Sequence, residues 1–132
     1  AVDSSALYAI IKGEPTAESW FDYIADLGRH ERLTICEVTF AELAPFFDDC
    51  ATLAARLESL GIEFDPIQPD TAFLAGQILG DYRKSGGPRT SLVPDFLVGA
   101  HALNQADGLL ADDRGYLRQH FRGLKLLKPL PP

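Results

Sequence analysis

Two kinds of apolar run alternate along this chain. Short apolar blocks occur at Ala1 to Asp3, Leu33 to Cys36, Ile62 to Ile67, Leu109 to Leu110 and Leu124 to Leu127. Between them lie longer stretches in which apolar residues recur every three or four positions. The first pattern predicts strands and the second predicts helices. Helices are expected over Ser5 to Lys12, ended by Gly13 and Pro15, and from Thr16 as N-cap to Leu27, with Trp20, Ile24 and Leu27 in phase and Gly28 as the stop. Val38 to Phe47 reads as a helix presenting Leu43, Phe46 and Phe47 inward. Further helices are expected over Leu53 to Leu60, Asp70 to Lys84, Pro94 to Asn104 and Tyr116 to Phe121, and residues 85–91 form the one glycine-rich loop of real length.

Strand-then-helix units repeated in this way favour a parallel sheet covered by helices on both faces, an α/β architecture. With 132 residues, 46% of them apolar, the chain can bury one full core but not two, so a single domain over 1–132 is expected. The apolar runs fall short of the ~20 residues of a membrane span. The opening Ala-Val-Asp-Ser-Ser lacks the basic and apolar regions of a signal peptide, so the expectation is a cytoplasmic protein without membrane contact. Cys36 and Cys50 have neither CxxC nor Cys/His spacing and read as reduced, buried thiols.

Charge complicates the chemistry. Four acids, Asp3, Glu42, Asp95 and Asp113, each stand at or just after an apolar run. In a parallel sheet, groups at strand ends converge on one edge. Carboxylates without histidine or thiolate partners suit Mg2+ or Mn2+ better than zinc. Such an ion activates water and neutralises charge during phosphodiester hydrolysis. Asp95 opens a helix, where the dipole favours an ionised carboxylate, although an N-cap would look the same. Glu42 sits one turn past a strand end, as an exposed helical glutamate also would. Asp3, followed by Ser4 and Ser5, either binds in the cluster or caps the first helix, and Ser5 either contacts phosphate or takes part in that cap. Of Asp112 and Asp113, strand alternation sends only one into the cleft. Against a nucleic-acid substrate stands the net charge of −7, with a pI near 4.8. Two basic groups, Arg83, Lys84 and Arg89 on one side and Arg114, Arg118 and Arg122 on the other, offset it locally.

Four segments carry a resemblance: Val-Asp-Ser-Ser-Ala-Leu, Ile-Cys-Glu-Val-Thr-Phe-Ala-Glu-Leu, Leu-Val-Pro-Asp-Phe-Leu-Val-Gly-Ala-His-Ala and Leu-Leu-Ala-Asp-Asp-Arg-Gly-Tyr. Together with the basic loop Tyr82 to Arg89, they resemble the PIN-domain ribonucleases, most closely the VapC toxins of prokaryotic toxin–antitoxin pairs. The third segment is the most specific. The resemblance implies a three-layer α/β/α fold with a mainly parallel central sheet, and an acidic quartet of Asp3, Glu42, Asp95 and Asp113 holding Mg2+ or Mn2+. It also implies a homodimer, cleavage of structured RNA such as tRNA, and inhibition by a cognate antitoxin. The family often has threonine two residues before its last acid, where this chain has Ala111.

Arg83, Lys84 and Arg89 are candidates for gripping RNA phosphate, with a solvated loop as the ordinary alternative. Arg114 and Arg118 either join that grip or pair with Asp112. His101 is read as a core histidine rather than a proton relay. Trp20, Phe21, Tyr23, Ile24, Phe46 and Phe47 belong to the core or to a patch for an antitoxin helix or second subunit. Two further readings stay open: a non-catalytic PIN-like interaction module, and a receiver-type signalling domain. The receiver is disfavoured because a single acid ends the first strand and Lys125 and Lys128 flank apolar residues near the chain end.

Overall fold

The computed structural model describes residues 1–87, 93–112 and 119–131. In chain order these form α1 (Ser4–Ile11), α2 (Ala17–Leu27), β1 (Leu33–Ile35), α3 (Glu37–Leu43), a 3-10 turn (Ala44–Phe46), α4 (Cys50–Ser59), β2 (Ile62–Phe64), α5 (Pro69–Lys84), α6 (Val93–Gln105), β3 (Leu109–Leu110) and β4 (Leu126–Leu127).

The strands are very short, and the first three residues join them. β1 pairs with β2 and β3 with β4, both in parallel. Between the pairs runs Ala1 to Asp3. Val2 donates to the Thr34 carbonyl at 2.8 Å, Asp3 donates to Leu110 at 2.9 Å, and Leu110 donates back to Ala1 at 2.8 Å. Val2 and Leu110 form a parallel bridge. The layer therefore reads β2, β1, the N-terminal segment, β3, β4. Neighbouring residues on each strand face opposite sides of it. Leu110 and Val2 enter one apolar cluster with Leu7, Trp20, Ile24 and Leu43, while Leu109 enters another with Phe96, Ala100 and Phe121. Two cores flanking one parallel layer make a three-layer α/β/α sandwich, and all three residues of β1 are buried, as a doubly covered strand requires.

Local signals explain most element ends. Asp3 caps α1, accepting from the Ser5 amide, and Asp49 caps α4, accepting from the Thr52 amide at 2.7 Å. Several expectations need correction. The helix expected through Phe47 stops at Leu43 and tightens into the 3-10 turn, because Pro45 has no N–H to donate and its ring crowds the preceding turn. As a result Leu43 is buried but Phe46 is 44% exposed. Thr16 makes no side-chain capping bond at the start of α2. The strand expected to reach Ile67 ends at Phe64, just before Asp65 and Pro66. Cys36 is buried as expected, but Cys50, in the first turn of α4, is exposed. The helix expected over Tyr116 to Phe121 falls largely outside the described residues.

Candidate active site

Chain order places the candidate site. From the N-terminal segment the chain moves outward to β1 and β2, then returns to build β3 on the other side. The order reverses between the N-terminal segment and β3, and at such a switch point the carboxyl ends of parallel strands open a crevice. Asp3 and Ala111–Asp112 stand at those two ends.

Asp3 is 3% exposed. Its Oδ2 accepts from the Ser5 hydroxyl at 2.6 Å and from the Ser5 amide at 3.3 Å. The same hydroxyl accepts from the Asp112 amide at 3.2 Å, so Ser5 ties the ends of two strands together across the switch point. Its role is thus capping and bridging. Asp112 itself is exposed.

Glu42 lies in the last turn of α3, half-buried, and its backbone carbonyl accepts from the Tyr8 hydroxyl of α1 at 2.9 Å. That bond holds α3 to the helix that Asp3 caps. The Lys12 ammonium sits 4.9 Å from the Tyr8 ring and 5.6 Å from the Phe46 ring, adding a cation beside this anchor. Asp95 is in the first turn of α6, half-buried. α6 has 13 residues, or ~20 Å at 1.5 Å per residue, and its far end feeds directly into β3. Because β3 runs toward the crevice, the Asp95 end of α6 lies at the crevice edge of the sheet.

Among the described residues, no three or more His, Cys, Asp or Glu side chains group closely enough to hold a metal ion. Asp113, the fourth acid of the expected quartet, lies outside the described residues, as do Arg89, Arg114 and Arg118. What the structure does offer is a buried, hydroxyl-oriented carboxylate at the switch point and a second carboxylate at a helix N-terminus. Both are hard oxygen donors suited to Mg2+ or Mn2+. Burial raises the Cys36 thiol above its ordinary range.

Arg83 and Lys84 are exposed in the last turn of α5. Gly86 then takes φ 85°, and Gly87 returns its amide to the Tyr82 carbonyl at 3.0 Å. A Cβ on Gly87 would stand 2.4 Å from the Tyr82 ring, so only glycine lets the backbone turn this tightly beside the basic pair.

Sequence reasoning missed two features around the site. The Tyr8–Glu42 bond spans 34 positions and has no local signature. His101 was expected in the core, and it is 1% exposed, but its partner was not foreseen: its Nε2 lies 3.0 Å from Asp65 Oδ2. Gln105 donates to the same oxygen at 3.1 Å and to the Pro66 carbonyl at 3.0 Å, while its own carbonyl accepts from the Gln68 amide at 2.9 Å. These bonds fasten the segment after β2 to α6.

Residues 1–121 match the model of the PIN domain. The chain belongs to the PIN domain family. Among curated protein sequences, none matches closely enough to count as a relative. Among solved structures, this PIN domain is similar to a chain in the crystal structure of VapBC2 from Rickettsia felis bound to a DNA fragment from their promoter. The TM-score is 0.71 at 16% identity, covering 96% of this chain and 95% of that one. Membership of the PIN family overturns the receiver reading. No helix among the described residues is long and apolar enough to cross a membrane.

Proposed function

We propose that this PIN domain is a divalent-metal-dependent endoribonuclease of the VapC type, the toxin of a toxin–antitoxin pair. The observation that carries the reading is the buried Asp3 carboxylate, held by Ser5 at the switch point of a PIN fold. Asp3, Glu42, Asp95 and Asp113 would hold Mg2+ or Mn2+. When bound, the ion supplies activation of water and neutralisation of phosphate charge. Ser5 keeps the Asp3 carboxylate oriented by donating to it. The first turn of α6 carries the Asp95 carboxylate. Arg83, Lys84 and Arg89 grip the strand through phosphate, which positions it without reading its sequence. Structured RNA, tRNA in particular, is the proposed substrate, and the cytoplasm the proposed location.

An antitoxin has a fitting surface. A groove of about 250 Å³ between α1, α2 and α4 is lined by Leu7, Ile10, Phe21, Phe46, Leu53 and Leu57. Phe21 and Phe46 are 48% and 44% exposed, as anchors awaiting an amphipathic helix would be. A homodimer is proposed as the working assembly.

The test is induction of the wild-type chain and Asp95→Asn in a host, followed by sequencing of cut RNA ends, with purified protein assayed in Mg2+ or Mn2+ and in EDTA. Cuts made by the wild type alone, and abolished by EDTA, support the reading. Intact RNA under every divalent condition would leave a non-catalytic PIN interaction module instead.

A further inference from the structure

Outside the crevice, a cavity of about 480 Å³ opens between the end of α5 and residues 119–122. Its volume falls in the range of small-ligand pockets, roughly 300–1,000 Å³. Its polar lining is Asp81, Tyr82, Ser85, Gln119, His120 and Arg122. Opposite charges share this space without neutralising each other. Among the described residues, neither the Asp81 carboxylate nor the Arg122 guanidinium makes an ion pair within 4.0 Å. The Ser85 amide and hydroxyl both donate to the Asp81 backbone carbonyl at 3.0 Å, not to its carboxylate.

The aromatic wall is fixed. The His120 ring stands edge-on to Tyr82 at 4.8 Å and 86°, and both rings contact Phe96, at 5.9 and 5.4 Å. Phe96 directly follows Asp95 on α6, so the rings of the cavity wall pack against a neighbour in sequence of a candidate metal ligand, while Leu103 of the same helix lines the cavity itself.

Resting on the ribonuclease reading, we infer that this cavity is a nucleotide subsite for the RNA strand flanking the cut, selective for guanine. Arg122 takes the phosphate as a charge-assisted hydrogen-bond donor. Asp81 accepts from the base. Guanine offers N1–H and N2–H2 side by side to a carboxylate, whereas adenine, cytosine and uracil each present fewer donors on that edge. Single-stranded bases are recognised in this way, by their Watson–Crick edges against aromatic walls.

The experiment titrates the full chain with 5′-GMP, 5′-AMP, 5′-CMP and guanosine, read by amide chemical shifts. GMP is expected to move Ser85, Gln119, His120 and Arg122 saturably, and to bind more tightly than AMP or CMP. Arg122→Gln should weaken GMP about 10-fold, the loss of one charged hydrogen bond, while leaving guanosine unchanged. Asp81→Asn should erase the preference for GMP over AMP. Both side chains are exposed, so both variants keep the fold. GMP shifts scattered elsewhere, or Arg122→Gln binding GMP normally, overturn the subsite. RNA cleavage in Mn2+ separates the two failures. Cleavage with a silent cavity sinks the subsite alone, whereas nucleotide binding without cleavage under any divalent ion sinks the RNA assignment with the nuclease reading.

Discussion

Two glycines on packed helices should respond in opposite directions to the same change. A Cβ on Gly99 of α6 would stand 2.7 Å from Phe121 Cε2 and Cζ, whereas a Cβ on Gly76 of α5 meets nothing within 4 Å. Both positions are helical, so the intrinsic gain from glycine to alanine, about 1 kcal/mol, is common to the two and cancels in their difference. What remains is overpacking. Phe121 is 1% exposed and its ring must retreat by about 1 Å to restore ordinary contact, at a typical cost of ~1–3 kcal/mol. With unfolding entropy near 2.1 cal/mol/K per residue, 132 residues give about 0.28 kcal/mol/K, so Gly99→Ala should melt roughly 4–11 °C below Gly76→Ala. Gly76→Ala itself should melt slightly above wild type. The assay is thermal unfolding by circular dichroism, with Phe121→Leu added to relieve the clash. In that background Gly99→Ala should cost much less than in wild type, a non-additivity expected of residues in contact. Equal melting temperatures for the two alanine variants, or a strictly additive double variant, would refute the close-approach argument. Because Gly99 lies four positions after Asp95, on the same face of α6, the displaced helix should also lower RNA cleavage.

Ser5→Ala removes the hydroxyl that orients Asp3 and receives the Asp112 amide, and it should reduce metal affinity or cleavage by about 10–100-fold with little change in circular dichroism. Unchanged Mn2+ dependence would count against that role. Hydrogen bonds from Thr52 hold the Asp49 carboxyl below its ordinary value, so its stabilising effect is present above the unfolded-state value and is lost as pH falls through the lower folded value. Asp49→Ala should therefore lie below wild type in melting temperature at neutral pH and converge with it in acid. Iodoacetamide should label exposed Cys50 in the native protein and buried Cys36 only after unfolding, as read by intact mass; two rapid additions would contradict the burial.

Periodicity and punctuation in the chain already determined most of the helices. Trp20, Ile24 and Leu27 mark one helical face, Gly13, Gly28 and Gly61 mark ends, and each of these is a local matter of backbone freedom and side-chain spacing. The same residues disclosed that Asp3 and Asp95 stand at element starts. Pro45 stood in the sequence as well, yet the helix was expected to run through it to Phe47; its effect after Leu43 follows from one missing N–H. Tertiary structure alone decided the rest. Strands of two or three residues carry too little alternation to declare their neighbours, so the insertion of Ala1 to Asp3 between β1 and β3 is settled by hydrogen bonds to Thr34 and Leu110. The partners of Tyr8, Ser5 and His101 lie 34, 107 and 36 positions away, where no spacing rule reaches. Exposure of Cys50 and Phe46 likewise depended on which faces the folded layers left uncovered. Local preference acts over a few residues, whereas burial and long-range hydrogen bonds exist only once the layers have packed.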